Sequence, residues 1–246
     1  MINRVVSFKQ LQTIKTGGLK LPVDYKVVLK DEADCFVRTN LDYEDNKTCT
    51  VIDSDDVYDI AQSRVEIDKE NKILINNNID VLRKQYRGKG FGIILHLNNI
   101  IEMFENNLQK IRLFSLGQSV FFHAKCGFEP DISSPYTMEY VIFDISVKDC
   151  HDMPEIKETV KKANNFANKL IKAKNHPDKY KVDCKEGNAI IKEYLDIITK
   201  KKLSPQERAL YGFDSGFPMV LTKEKILENK DFFNGLFKKF GIDYEV

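Results

Sequence analysis

Gln85-Tyr86-Arg87-Gly88-Lys89-Gly90-Phe91-Gly92 is the stretch from which this chain is best read. Before it, residues 72–82 alternate as a strand does, with Ile73, Ile75, Ile79 and Val81 on one face and Leu74, Asn76, Asn78 and Asp80 on the other. After it, Ile93, Ile94, Leu97, Ile100, Ile101 and Phe104 recur at intervals of three and four, which predicts a helix over residues 90–106 with one buried stripe. A glycine-spaced turn therefore joins a strand to a long helix.

Glycines at alternate positions allow a tight turn and leave no side chain between the first helical amides and a guest. Those amides are unpaired donors at the positive end of the helix dipole, so phosphate or pyrophosphate suits them. Arg87 and Lys89 add full charges at the same place. The stretch also fits a plain strand-to-helix connection with two solvated basic residues, and a second motif is needed to decide. A Walker A loop is excluded because no Lys-Ser or Lys-Thr pair opens the helix. The dinucleotide fingerprint is excluded because the spacing is Gly-x-Gly-x-Gly and the preceding strand is polar on one face.

Gln85, Gly88 and Gly90 resemble the signature of the GNAT superfamily of CoA-dependent N-acyltransferases: Gln or Arg, two residues, Gly, any residue, then Gly or Ala. Further on, residues 110–116 read as a strand and residues 118–125 as a short helix, and Cys126-Gly127-Phe128-Glu129-Pro130 closes that helix with glycine in the C-cap position. This is similar to the family's second CoA-binding segment. Ser133-Ser134-Pro135-Tyr136 reads as a turn, and residues 138–145 resemble the family's closing strand. The resemblance covers residues 73–146.

The resemblance implies an α+β fold: a mixed, mostly antiparallel twisted sheet flanked by helices. It also implies acetyl-CoA as cofactor, held at Val81, Leu82, Gln85, Arg87, Gly88, Lys89, Gly90, Phe91, Gly92 and Ser119. The backbone of residues 80–82 would pair with the pantetheine arm. Asn76 and Asn78 would look into the acceptor cleft beside Asp80, the best-placed carboxylate for a general base. Many family members place a tyrosine acid four residues before the Gly-Phe glycine, and that position holds His123. No metal is expected. Cys126 reads as a packed thiol, since direct transfer needs no nucleophile, and His96, His151 and His176 read as surface or satisfied core residues.

The rest of the chain narrows the classes. A formal net charge of +1 argues against a dedicated nucleic-acid binder. Hydrophobic content of 42% and charged content of 30% describe a globular protein. The five cysteines are scattered without paired spacing, which points to a reducing compartment. No apolar run reaches signal-peptide or membrane-spanning length, so the expected location is cytoplasmic, with no membrane partner.

Residues 6–14, 25–30, 36–41, 48–53 and 64–68 read as strands separated by Gly17-Gly18, Asp31-Glu32 and residues 42–46. Residues 56–61 are the one weak helical candidate there, whereas the family usually places one or two helices between its first two strands. After Cys150 the chain becomes lysine-rich helix over residues 155–174 and 187–202. Ser204-Pro205-Gln206-Glu207 forms a capping box, Thr222 caps a further helix, and Phe232, Phe233, Leu236, Phe237 and Phe240 give residues 231–240 an apolar stripe for docking on the core. The expected division is an acyltransferase domain over residues 1–150, divergent over 1–70, and a C-terminal helical extension over 151–246. The expected function is transfer of the acetyl group of acetyl-CoA to a primary amine of a small molecule, protein lysine or N-terminus. The alternatives are a non-catalytic acyl-CoA-binding or protein-interaction module with a partner on the C-terminal helices, and a nucleotide-phosphate protein of another fold.

Overall fold

The computed structural model describes residues 13–16, 19–22, 25–28, 35–41, 47–54, 58–117 and 119–246. Residues 6–12 of the first expected strand, Gly17-Gly18, Asp31-Glu32, residues 42–46, Asp56, Val57 and Gln118 lie outside the described residues. In chain order the elements are β1 (Thr13–Thr16), β2 (Leu19–Pro22), β3 (Tyr25–Val27), β4 (Cys35–Leu41), β5 (Lys47–Ser54), β6 (Tyr58–Asp68), β7 (Ile73–Val81), α1 (Phe91–Glu105), β8 (Lys110–Ser115), α2 (Ser119–Lys125), β9 (Glu129–Pro130), α3 (Pro135–Ser146), α4 (Lys157–Asn175), α5 (Cys184–Ile198), α6 (Pro205–Tyr211), β10 (Phe217–Thr222), α7 (Lys223–Glu228) and α8 (Lys230–Lys239). They form two compact units, one of residues 1–113 and 221–246 and the other of residues 114–220.

The first unit holds a mixed sheet in which β3, β4, β5, β6 and β7 are successively antiparallel and β8 joins β7 in parallel. Over residues 58–61 the expected helix of residues 56–61 gives way to strand: Tyr58–Asp68 is one long strand, paired with β5 on one side and β7 on the other. Two ladders outweigh a weak local helix preference. The apolar members of this strand, Ile60, Ala61, Val65 and Ile67, are buried.

Helix α1 lies on this sheet, and its burial exceeds the single stripe expected from periodicity. Ile94, Leu95, Leu97, Ile100, Ile101 and Met103 are buried, and so are His96, Asn98, Asn99 and Glu102. The sheet covers one side of the helix, while β2 and α8 pack against others. The buried polar groups then need partners. The Tyr25 hydroxyl donates to Asn98 Oδ1 at 3.0 Å, and Asn98 Nδ2 donates to Thr50 Oγ1 at 3.0 Å and to Glu102 Oε1 at 2.8 Å. Thr39 and Thr50 hydroxyls meet at 3.2 Å, and Ser63 Oγ donates to Asn99 Oδ1 at 3.5 Å. Burial, with the Glu102 carboxyl beside it, drives the Tyr25 phenol far above its ordinary range.

The last 26 residues belong with this unit, which corrects the expected division into residues 1–150 and 151–246. The Lys223 amide donates to the Gln109 carbonyl at 2.8 Å and the Val28 amide to the Phe240 carbonyl at 2.9 Å. Phe233, Phe237, Phe240 and Ile242 are buried, so the aromatic stripe packs on the core and only Phe232 stands about half exposed. Thr222 caps α7 as expected, its Oγ1 accepting from the Lys225 amide at 3.1 Å.

The second unit packs α3 on α4 and α5, with β9 antiparallel to β10. Residues 138–145, expected as a strand, are instead helical, and the expected turn at residues 133–136 is that helix's start. Ser134 Oγ accepts from the Thr137 amide and Pro135 occupies the first turn. Met138, Val141, Ile142 and Ile145 then recur at helical spacing and are buried, so period outweighs the strand preference of the individual residues. The capping box at Ser204 and Glu207 forms as read.

Candidate functional site

The site begins with an irregularity in β7. Val65 pairs with Asn76 and Arg64 with Asn78, so Asn77 is an extra residue opposite a single step of β6. Such a bulge reverses the side-chain alternation beyond it. Leu74 and Asn76 therefore share the buried face of Val65 and Ile67 with Ile79 and Val81, while Asn78 and Asp80 share the opposite face with Arg64 and Gln62. The polar face expected from strict alternation is thus split. Asn76 is 5% exposed and its Nδ2 has no hydrogen-bond acceptor among the described residues. Asn78 and Asp80 stay together, on the more open side.

Pairing between β7 and β8 runs only from Ile73–Lys110 to Asn76–Leu113. Beyond the bulge, the edge of β7 away from β6 has no partner among the described residues. The Leu82 amide donates to the Ile60 carbonyl at 2.9 Å and therefore points toward β6. Because successive residues of a strand direct their backbone groups to opposite edges, Val81 and Ile79 face the open edge. Ile79 was not among the residues expected to hold a cofactor, and Leu82's own amide is already engaged. Only the pairing register reveals this.

The loop after β7 turns through a short 3₁₀ segment, Lys84–Tyr86, with the Tyr86 amide on the Arg83 carbonyl and the Arg87 amide on the Lys84 carbonyl. Gly88 has φ 81° and Gly90 φ 104°, left-handed conformations in which a side chain is strained. Gly90 is the N-cap of α1, and its carbonyl accepts from the Ile93 and Ile94 amides. The amides of Gly88, Gly90, Phe91 and Gly92 find no acceptor among the described residues. A Cβ on Gly88 would meet no atom within 4 Å, so open space lies beside these donors. Phe91 is buried and its ring meets that of Tyr86 edge-on at 5.6 Å, which anchors the loop. Lys89 Nζ lies 5.4 Å from the centre of the Tyr86 ring. Gln85, Arg87 and Lys89 are exposed around the amides. Residues 88–92 therefore present amides without an acceptor among the described residues, next in the chain to the open edge of β7.

Ser119 and His123 lie on α2, in the other unit. Ser119 is exposed at the first position of the helix. Gly127, at φ 88°, ends it in a Schellman arrangement: the Phe128 amide donates to the His123 carbonyl at 3.1 Å and the Gly127 amide to the Ala124 carbonyl at 3.0 Å. His123 is 8% exposed, its ring 5.0 Å from that of Phe122 and 5.8 Å from that of Phe128. Burial pushes its pKa down to about 4, so the imidazolium that an acid role needs is nearly absent at neutral pH. The same effect pushes the buried Cys126 thiol up to about 12 and keeps it inert. His96 is buried on α1, and His151 is exposed beside Asp152.

The His123 shift predicts a dependence of stability on pH. The folded value of about 4 lies below the ordinary 6.5, so between them the unfolded chain binds the extra proton. The stabilisation is complete above about pH 6.5 and is lost on acidification toward pH 4, up to about 3 kcal/mol. Urea unfolding at pH 7.5 and pH 4.5 should show a larger loss in the parent than in His123→Phe. Equal losses would mean that the ring is not held uncharged by burial.

No helix among the described residues is long and apolar enough to cross a membrane. No family model and no curated protein matches the chain. Solved structures similar to it include the PaiA N-acetyltransferase of Thermoplasma acidophilum in complex with coenzyme A, at 18% identity over 36% of this chain and 55% of that one, with a TM-score of 0.33. The spermidine N-acetyltransferase of Vibrio cholerae, in complex with CoA and spermine, is similar at 21% identity over 37% and 55%, with a TM-score of 0.32. The IAA acetyltransferase of Bacillus cereus is similar at 21% identity over 35% and 58%, with a TM-score of 0.32. The chain spans a little over half the length of these structures.

Proposed function

We propose that this protein is an acetyl-CoA-dependent N-acetyltransferase of the GNAT type that acylates a primary amine of a small molecule or a protein. The observation that carries this reading is the cradle of unpaired amides at Gly88, Gly90, Phe91 and Gly92, placed directly after a bulged strand with an open edge. The cradle suits a pyrophosphate, and Arg87 and Lys89 add charge around it. The Ile79 and Val81 backbone groups suit an extended amide chain laid along the open edge as an added strand would be. A bound thioester supplies the activated acyl group. Asp80, on the same face as Asn78, is the carboxylate in this reading that takes the proton of the attacking amine, directly or through water. Buried and neutral, His123 is assigned no proton transfer. A thiol with a pKa of about 8.5 is a tolerable leaving group without an acid.

That same burial of His123 favours a second reading, a non-catalytic acyl-CoA-binding or interaction module on the same scaffold. Incubating the protein with acetyl-CoA and a panel of primary amines and lysine peptides, and following free thiol, separates the two. The enzyme reading expects thiol release above the hydrolysis background with at least one acceptor, rising with pH as the amine loses its proton. Acetyl-CoA binding without turnover on any acceptor would leave the module reading, and absence of binding would remove both.

A further inference from the structure

A cavity of about 380 Å³ lies in the helical unit between α2, the end of α5 and the start of α6, a size typical of small-molecule sites. Phe121 and Ile198, both buried, contribute apolar surface to it, and Phe122 and Leu203 line it as well. The charged side chains in the lining are Lys125, Lys201, Lys202 and Arg208, with no carboxylate among them. Lys201 is answered by Glu155. Lys125, Lys202 and Arg208 meet no acidic group among the described residues, and all three are exposed at this cavity.

Arg208 is also oriented. Its Nε donates to the Leu203 carbonyl at 3.1 Å, and the turn between them is fixed by the Ser204 Oγ and Glu207 capping box. The two terminal amino groups of the guanidinium therefore remain for an acceptor. Three cations beside apolar surface repel one another, and a single carboxylate would answer only one of them. A phosphate monoester brings a charge of about −1.5 to −2 and three acceptor oxygens, and arginine's planar fork matches it. The apolar surface needs an equally apolar body attached to that phosphate.

We propose that this cavity binds a phosphorylated small molecule with an aromatic or apolar body, its phosphate on Lys125, Lys202 and Arg208 and its body against Phe121, Phe122 and Leu203. The inference stands on the helical unit alone and does not depend on the acetyl-transfer reading.

Titration calorimetry of the full chain with adenosine 5′-monophosphate, phenyl phosphate and adenosine tests it. Both phosphates should bind and adenosine should bind at least about tenfold more weakly, with affinity falling as salt is raised from about 50 to 200 mM because the contact is charge-based. Lys202→Gln/Arg208→Gln should lose about tenfold or more in affinity for both phosphates, while Gly90→Val, altered in the glycine loop, should keep parental affinity. Failure of both phosphates to bind at millimolar concentration would overturn the proposal. So would unchanged affinity in the double variant, or loss of phosphate binding in Gly90→Val. Acetyl-CoA titrated into the same variants reads the loop separately, since its binding should fall in Gly90→Val whatever happens at the cavity.

Discussion

Gly90→Val should lose acetyl-CoA affinity by about tenfold or more. Gly90 sits at φ 104° as the N-cap of α1, where a β-branched residue is strained and cannot hold the backbone unchanged. The added branches would also stand beside the Phe91 and Gly92 amides, where a pyrophosphate is to be received. Backbone distortion and lost space act in the same direction, so the effect should exceed that of Gly88→Ala, whose Cβ meets nothing within 4 Å. Gly88→Ala still bears the cost of a positive φ, roughly 1 kcal/mol. Calorimetric titration with acetyl-CoA measures both variants, and a melting curve checks the fold. Parental affinity in a folded Gly90→Val protein would remove the cofactor assignment and the acetyl-transfer reading with it.

Asn98→Leu should be the most destabilising single change in the sheet-bearing unit, at about 3–5 kcal/mol. Asn98 is fully buried and joins Tyr25, Thr50 and Glu102. Removing it takes the acceptor of the Tyr25 hydroxyl and one donor each from Thr50, which keeps Thr39, and from the buried Glu102 carboxyl, and each buried hydrogen bond lost in this way costs about 1–3 kcal/mol, more at a charged group. Urea denaturation at pH 7 gives the value. The double variant Asn98→Leu/Glu102→Leu should recover part of the loss, because it also removes the buried carboxyl whose Asn98 donor is lost. A loss under about 1 kcal/mol in Asn98→Leu would show that water reaches this network. Since α1 carries the glycine loop at its N-terminus, the variant also tests whether the network that seats the helix matters to the site.

Local signals were legible in the chain itself. The glycine spacing gave the strand-to-helix turn, and Ser204-Pro205-Gln206-Glu207, Thr222 and Gly127 marked helix ends that the structure places where they were read. Such signals act over three or four residues, and one or two backbone hydrogen bonds decide them. The apolar periodicity of α1, α4 and α5 is of the same kind, since the period of a helix is written in consecutive residues.

Tertiary structure decided everything that depends on a distant partner. Residues 138–145 carry residues that suit a strand, and a helix forms because its apolar stripe finds α4 and α5. Residues 58–61 extend because β5 and β7 flank them. The bulge at Asn77 has no signature in the sequence. One inserted residue puts Ile79 and Val81 on the buried face of Leu74 and Asn76 and leaves Asn78 and Asp80 on the other. Burial of Asn98 and Glu102 follows from packing on several sides of α1, which a single amphipathic stripe does not foretell. The position of His123 was fixed by counting back from Gly127, but its protonation was set by the rings of Phe122 and Phe128 and by the exclusion of water around them. Periodicity and caps are local free energies and can be read residue by residue, whereas register, burial and pKa are properties of neighbours that the chain brings together only when it folds.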